Sequence, residues 1–281
     1  SRKQGSLIDD KKKQFVPIIS HPDIRRMLMY MKMYVEGMRS LQYYISLCND
    51  YGHVVENKKD KEMYQDLIDI LIPIAKGYVT DRAVDICNLG IQVYGGYGYT
   101  KEYPVEQHFR DVRITTIYEG TNGIQANDLM GRKLFLKNGR LPEQLTREIQ
   151  KSVDLAMKKQ ELEGLAKKLR SNVDQWHDVV RHLTEMIQNG QTKEAYTHAY
   201  LFMEITGDIV MAWMLLWRAC VAMDKLEQKT KQRDMKFYRG QIKSAENFMG
   251  TMLPVTSGKA SSILSNCSSA IEILDEEFGG K

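Results

Sequence analysis

At 281 residues, with 43% hydrophobic and 27% charged content, the chain is long enough for one large domain or two smaller ones and has a globular composition. Forty basic against 36 acidic residues leave a formal net charge of +4, a near balance that argues for a solvated mixed surface and against a nucleic-acid partner. No apolar run is read as long enough to span a bilayer and no signal segment opens the chain, so a membrane partner is not expected.

Residues 1–20 are polar and basic, with Lys11, Lys12 and Lys13 in the middle. A long amphipathic helix is expected from Pro22, a good first-turn residue, to Tyr51 and Gly52. Ile24, Met27, Met31, Val35, Met38, Leu41, Ile45 and Cys48 recur along it every three or four residues. A second helix is expected over 60–94, with Pro73 kinking or splitting it. Gly95, Gly96 and Gly98 then stand where a helix should end, and Pro104 forbids a simple restart. Residues 106–113 read as a compact polar knot, with Glu106 and Arg110-Asp111 as an ion-pair cluster fixing a loop. Tyr118-Glu119-Gly120-Thr121-Asn122 places a lone carboxylate on a tight turn, and Thr121 or Asn122 can cap a shorter helix over 123–137.

The run Lys137-Asn138-Gly139-Arg140-Leu141-Pro142 is the expected domain boundary. Beyond it, Leu162, Leu165, Leu169, Val173, Trp176, Val180, Leu183 and Ile187 mark a helix stopped by Asn189-Gly190. Ala195, Ala199, Phe202, Ile209, Trp213, Leu216, Cys220 and Met223 mark another, ending in a charged, solvated turn over 225–233. Phe237, Ala245, Phe248 and Met252 belong to a further helix broken by Pro254, and a Ser-rich helix is expected over 256–274. Trp213 and Trp217 read as core. Nothing alternates with period two for long enough to be a strand. The expected fold class is all-α: two packed helix bundles, 1–137 and 138–281.

Cys48, Cys87, Cys220 and Cys267 form no C-x-x-C pair and lie in helical patterns, which reads as buried free thiols in a reducing, cytoplasmic compartment. The six histidines make no metal set. Asp174-x-x-His177 and His182-x-x-Glu185 have helical spacing, but di-iron bundles need Glu-x-x-His twice, so no metal is expected. Taken alone, Glu119 is a solvated carboxylate at a helix start, and Gln92 with Gly95-Gly96 is a C-cap turn.

Taken together, Gln92-x-x-Gly95-Gly96-x-Gly98-Tyr99, Glu102-x-Pro104-x-Glu106, Arg110-Asp111 and Ile117-Tyr118-Glu119-Gly120-Thr121 resemble the C-terminal signature of the acyl-CoA dehydrogenases. Order and spacing agree over more than thirty residues. The opening Arg2-Lys3-Gln4-Gly5 resembles the turn after the first long helix of that family's C-terminal domain, so the family's preceding helical and β domains are expected to be absent. Residues 138–281 resemble the extra helical domain of the long 3-methylmercaptopropionyl-CoA type.

The resemblance implies FAD as cofactor, an acyl-CoA substrate, an electron-transfer flavoprotein as acceptor and a homo-oligomer. It implies Glu119 as the base that removes the α proton, Tyr118 and Gly120 against substrate, and Gln92, Gly95, Gly96 and Thr121 on FAD, the first three reaching the cofactor of a neighbouring subunit. The chemistry suits a carboxyl whose burial brings its pKa toward working pH. The chain without the family's β domain is expected to hold no FAD. A helical interaction module that kept the motif and lost catalysis is the alternative.

Overall fold

The computed structural model describes residues 2–228 and 231–279; positions 229 and 230 of the expected charged turn lie outside the described residues. The described residues are helical, with no strand beyond an isolated bridge between Lys3 and Pro17. Helix α1 (Pro22–Val54) starts at Pro22 as expected but runs through Gly52. Glycine weakens a helix by about 1 kcal/mol. Here the ring of Tyr51 stacks on Tyr64 of the next helix, with centroids 5.3 Å apart, and pins the last turn.

Helix α2 (Lys58–Pro73) is capped by Asn57, whose side chain accepts from the Lys59 N–H at 2.8 Å. Pro73 does not break the rod. The chain passes through one π turn (Ile74–Tyr78) into α3 (Val79–Tyr94). A widened turn accommodates the missing proline N–H without ending the helix. The expected polar knot is a helix, α4 (Val105–Arg113), and Arg110 pairs with Glu106 at 2.8 Å one turn away along it rather than fixing a loop. Helix α5 (Asn122–Asp128) continues through a second π turn to Lys133.

Residues 137–139 turn the chain with three successive left-handed residues, at φ 53°, 57° and 78°. Two cations hold this turn: Lys137 and Arg140 both reach the buried carboxylate of Asp66 on α2. Helix α6 (Arg140–Met157) follows at once and was not anticipated, although Leu141, Leu145, Ile149 and Val153 recur every fourth residue and are all buried. Then come α7 (Glu163–Gln188), α8 (Thr192–Thr197), α9 (Ala199–Glu227), α10 (Gln232–Thr251) and α11 (Leu253–Leu264). The expected last helix is broken: after α11, Asn266 turns at φ 52° and only a short α12 (Ser269–Glu272) follows.

Helix α9 is the axis of the molecule. Contrary to the sequence expectation, it is long and apolar enough to cross a bilayer, but 83% of its most apolar window is buried within the fold. Helices α1, α6, α7, α10 and α11 pack around it. The hydrophobic core is one continuous cluster from Met33 to Ile263, so the two expected bundles share it. Tyr34 of α1 meets Phe248 of α10 edge-on at 5.5 Å, and Trp213 donates its indole N–H to Ser152 at 2.9 Å. Trp217, expected in the core, is 36% exposed, and Cys267, expected buried, is exposed. A helix can bury only part of its circumference; Trp217 lies on the flank of α9 that the neighbouring helices leave open.

Deep in the core, Asp208 of α9 is fully buried. Its Oδ1 accepts from the Tyr78 hydroxyl at 2.6 Å, and its Oδ2 accepts from Thr256 and Lys259, both at 2.9 Å. Tyr78 reaches it only because the preceding residue is glycine: a Cβ on Gly207 would sit 2.3 Å from the Tyr78 ring. A buried carboxylate is tolerated when its charge is paired and its lone pairs are filled. Replacing Asp208 by alanine takes the acceptor from the Tyr78 hydroxyl and leaves Lys259 only Glu204, 3.5 Å away. A loss of about 3–5 kcal/mol is expected, measured as a lower urea midpoint with little change of slope.

Candidate functional site

The Glu119 turn is built by backbone conformation first. Glu119 has φ 56° and Gly120 φ 82°, so two successive residues are left-handed. That costs glycine little, whereas a residue with a side chain is held in this region only by surrounding structure. The 3-10 turn Ile114–Thr116 enters it, with Tyr118 N–H donating to Ile114 O at 3.1 Å. Thr121 ends it as the cap of α5, its Oγ1 accepting from Ile124 N–H at 3.4 Å. The carbonyl of Glu119 accepts from the Gln125 side chain, also at 3.4 Å.

What anchors the turn is Asn122, which the sequence offered only as an alternative cap. It is 4% exposed. Its Nδ2 lies 3.0 Å from Gly77 O, 2.9 Å from Thr80 Oγ1 and 2.8 Å from Asp81 Oδ1, while Lys76 donates to its Oδ1 at 2.9 Å. All four partners belong to the π turn and the first turn of α3. The widened turn after Pro73 thus presents backbone and side-chain groups to a single amide. Burial lowers the pKa of Lys76, and the nearby carboxylates of Asp81 and Glu119 oppose that shift.

Asp81 carries the contact further. Its Oδ2 accepts from the hydroxyl of Tyr200 on α9. Burial, then this bond, pushes the Tyr200 phenol above its ordinary value, so it stays a neutral donor. Beside it, Arg82 spans Asp85 at 3.2 Å and Glu204 of α9 at 2.8 Å. Asp81, Arg82, Arg113, Thr121, Asn122 and Tyr200 line a polar cleft of about 450 Å³. Tyr200 and Glu204 come from the second half of the chain, and no motif pointed to them.

Glu119, Tyr118, Gly120 and Thr121 are all exposed. The burial expected of a carboxyl base is therefore not provided by these residues. Gln92 is exposed at the far end of α3, and Gly95, at φ 66°, ends that helix. From Asp81 to Gly95 the helix rises roughly 20 Å, so the structure does not bring this glycine pair to the Glu119 turn. Arg2 docks at the glycine end instead: its guanidinium donates to Tyr94 O at 3.0 Å, and its nitrogens lie 3.5–3.6 Å from where a Gly95 Cβ would be. A Cβ on Gly96 would meet nothing within 4 Å. An open glycine face beside a guanidinium suits an anionic group such as a dinucleotide pyrophosphate. Among the described residues, no group of three or more metal-ligating side chains occurs.

Residues 7–134 match the family model "Acyl-CoA dehydrogenase, C-terminal domain", and residues 145–273 match "Acetyl-CoA dehydrogenase C-terminal like". The chain belongs to the acyl-CoA dehydrogenase family. It is 33% identical to 3-methylmercaptopropionyl-CoA dehydrogenase of Ruegeria pomeroyi, over 93% of this chain and 44% of that relative. It is 29% identical to the broad-specificity linear acyl-CoA dehydrogenase FadE5 of Mycobacterium tuberculosis, over 99% of this chain and 46% of that one. The chain thus spans under half the length of the curated relatives it matches. An acyl-CoA dehydrogenase from Bacillus anthracis, solved in complex with FAD, shares the fold at TM-score 0.64 and 18% identity, over 96% of this chain and 45% of its own. ACDH-11 of Caenorhabditis elegans, solved with C11-CoA, aligns at TM-score 0.68 and 16% identity, over 81% and 36%.

The Asn122 clamp carries a direct expectation. Asn122→Ala leaves Asp81 and the Gly77 carbonyl without their amide partner, at a cost of about 1–3 kcal/mol. Hydrogen exchange of the backbone N–H groups over 119–121 should accelerate more than that of α9; equal acceleration in both would mean that the clamp does not hold this turn in particular.

Proposed function

We propose that the intact protein oxidises an acyl-CoA thioester to its trans-2-enoyl-CoA, with Glu119 as the base that takes the α proton. The observation that carries this reading is the combination of exposure and fixation at one carboxylate. Glu119 is the first of two left-handed residues, and Asn122, two residues beyond them, is buried and held at four points. A general base must stand at a fixed place yet be reachable by its substrate. Tyr118 and Gly120 flank it and would contact the acyl portion. Glu119 is exposed in this chain, so substrate and the rest of the intact protein would supply its cover from water. The backbone N–H of Glu119 is a donor for the thioester oxygen as negative charge develops on it.

Bound FAD would supply the hydride acceptor, because no side chain can take a hydride. Thr121, at the start of α5, would contact one cofactor, and Gln92, Gly95 and Gly96, with Arg2 beside them, another. The separation of these two patches along α3 supports a site shared between copies of the chain, and hence a homo-oligomer. Residues 1–137 then form the catalytic helical domain and 138–281 an appended domain that braces it through Tyr200 and Glu204. An electron-transfer flavoprotein as acceptor follows from the family reading, and buried free thiols at Cys48 and Cys220 support a reducing, cytoplasmic setting.

Two measurements test this. In the intact protein, Glu119→Gln keeps shape and one acceptor but cannot take a proton. Flavin bleaching by acyl-CoA under anaerobic conditions should slow by at least ~10²-fold, with substrate affinity largely kept. Bleaching within a few-fold of wild type would remove Glu119 from the role. Separately, the present chain purified alone should carry no stoichiometric flavin absorbance, since a cofactor of this size needs a closed cleft.

A further inference from the structure

A second concave site lies on another face, where α1, α9 and α10 diverge. It is a trough of about 380 Å³ and shares no lining residue with the polar cleft at Asp81, Asn122 and Tyr200. Its walls are aromatic and aliphatic: Tyr43, Leu47, Trp217, Val221 and Phe237 line it, and all five are exposed. That volume and lining fall in the range of small-molecule sites, roughly 300–1,000 Å³.

The trough contains one cation, Arg218, half-buried in its lining. Its Nε and Nη2 donate to Gln241 Oε1 at 2.8 and 2.5 Å, and its Nη1 donates to Ser40 Oγ at 2.9 Å. Each of these partners is neutral. Glu36, the carboxylate that acts on it electrostatically, is engaged by Lys32, Gln241 and Ser244, and no ion pair joins it to Arg218. A guanidinium has five N–H donors in a planar fork. Three are used, so Nη1 and Nη2 each keep one. Burial disfavours a charge without a counter-ion, and a carboxylate fits two parallel guanidinium N–H groups better than any neutral ligand does.

We propose that this trough binds a monocarboxylate with an apolar body, the carboxylate on Arg218 and the body along Leu47, Trp217 and Val221. One cation matches one negative charge, and Lys32 is already paired with Glu36. This site does not depend on the assignment of Glu119.

Decanoate, titrated into the full chain by calorimetry, tests the proposal. Trp217 reports occupancy, because it is 36% exposed to a quencher such as acrylamide while the other two tryptophans, Trp176 and Trp213, are buried. One decanoate should bind per chain and shield Trp217 from quenching, and 1-decanol should bind at least ~10-fold more weakly. Arg218→Gln should reduce decanoate affinity to that of the alcohol. Val221→Glu changes an exposed position, so the fold should melt as wild type while binding is lost. The proposal is overturned if decanoate fails to bind, if alcohol and acid bind alike, or if Val221→Glu binds unchanged. It is equally overturned if the ligand-free chain is a dimer with Trp217 already shielded, since the trough would then be a contact between copies.

Discussion

A carboxylate cut off from water ties the two halves of this chain together. Asp208 sits on the central helix, and its three donors come from α11, through Thr256 and Lys259, and from the π turn before α3, through Tyr78. The apolar contacts around it are non-directional and would tolerate sliding. A buried charge does not, because each lone pair must meet its donor within a few tenths of an ångström or its desolvation goes uncompensated. The network therefore sets the register in which the second half lies on the first. Gly207, one residue earlier, makes that register sterically possible by letting the Tyr78 ring lie against the backbone of α9.

The same register reaches the candidate site. Tyr78 is the last residue of the π turn whose Lys76 and Gly77 hold Asn122. One helical turn further on, Asp81 takes Asn122 from one side and Tyr200 of α9 from the other. Arg82 is fixed against Glu204 in the same way. The position of the Glu119 turn is thus coupled to α9 by hydrogen bonds, with Arg82–Glu204 half-buried and Asp81–Tyr200 at the surface. This gives the second half a physical role: it braces the wall from which the Glu119 turn projects.

Much of the fold was legible because helices announce themselves locally. The three-and-four spacing in α1, α7 and α9, Pro22 at a first turn and Asn189-Gly190 at a stop all depend on residues within one or two turns of each other. The misreadings have local causes too. Pro73 reads as a break because its missing N–H is visible in sequence, whereas the π turn that accommodates it is not. Helix α6 starts among residues that read as a linker, Asn138-Gly139 and Pro142, so the regular spacing of Leu141, Leu145, Ile149 and Val153 competes with strong local breakers. Residues 106–113 looked like a loop because paired charges dominate them, yet charges one turn apart are equally a helix surface.

The sequence by itself determined the fold class, the family, and the identity of Glu119, Thr121, Gln92 and Gly95-Gly96 as the residues to consider. Those readings rest on order and spacing along the chain. Only the tertiary structure decided that the two halves share one core, that Trp217 faces outward beside an Arg218 bonded to neutral partners, and that Asn122 anchors the Glu119 turn beyond the cap at Thr121. It alone placed Gly95 about 20 Å along α3 from Asp81, and Arg2 beside it. The reason is the range of the interactions: Asp208 with Tyr78, Asp81 with Tyr200 and Arg218 with Ser40 join residues more than a hundred positions apart. Such pairs leave no periodicity in sequence, and their geometry exists only once α9 is packed.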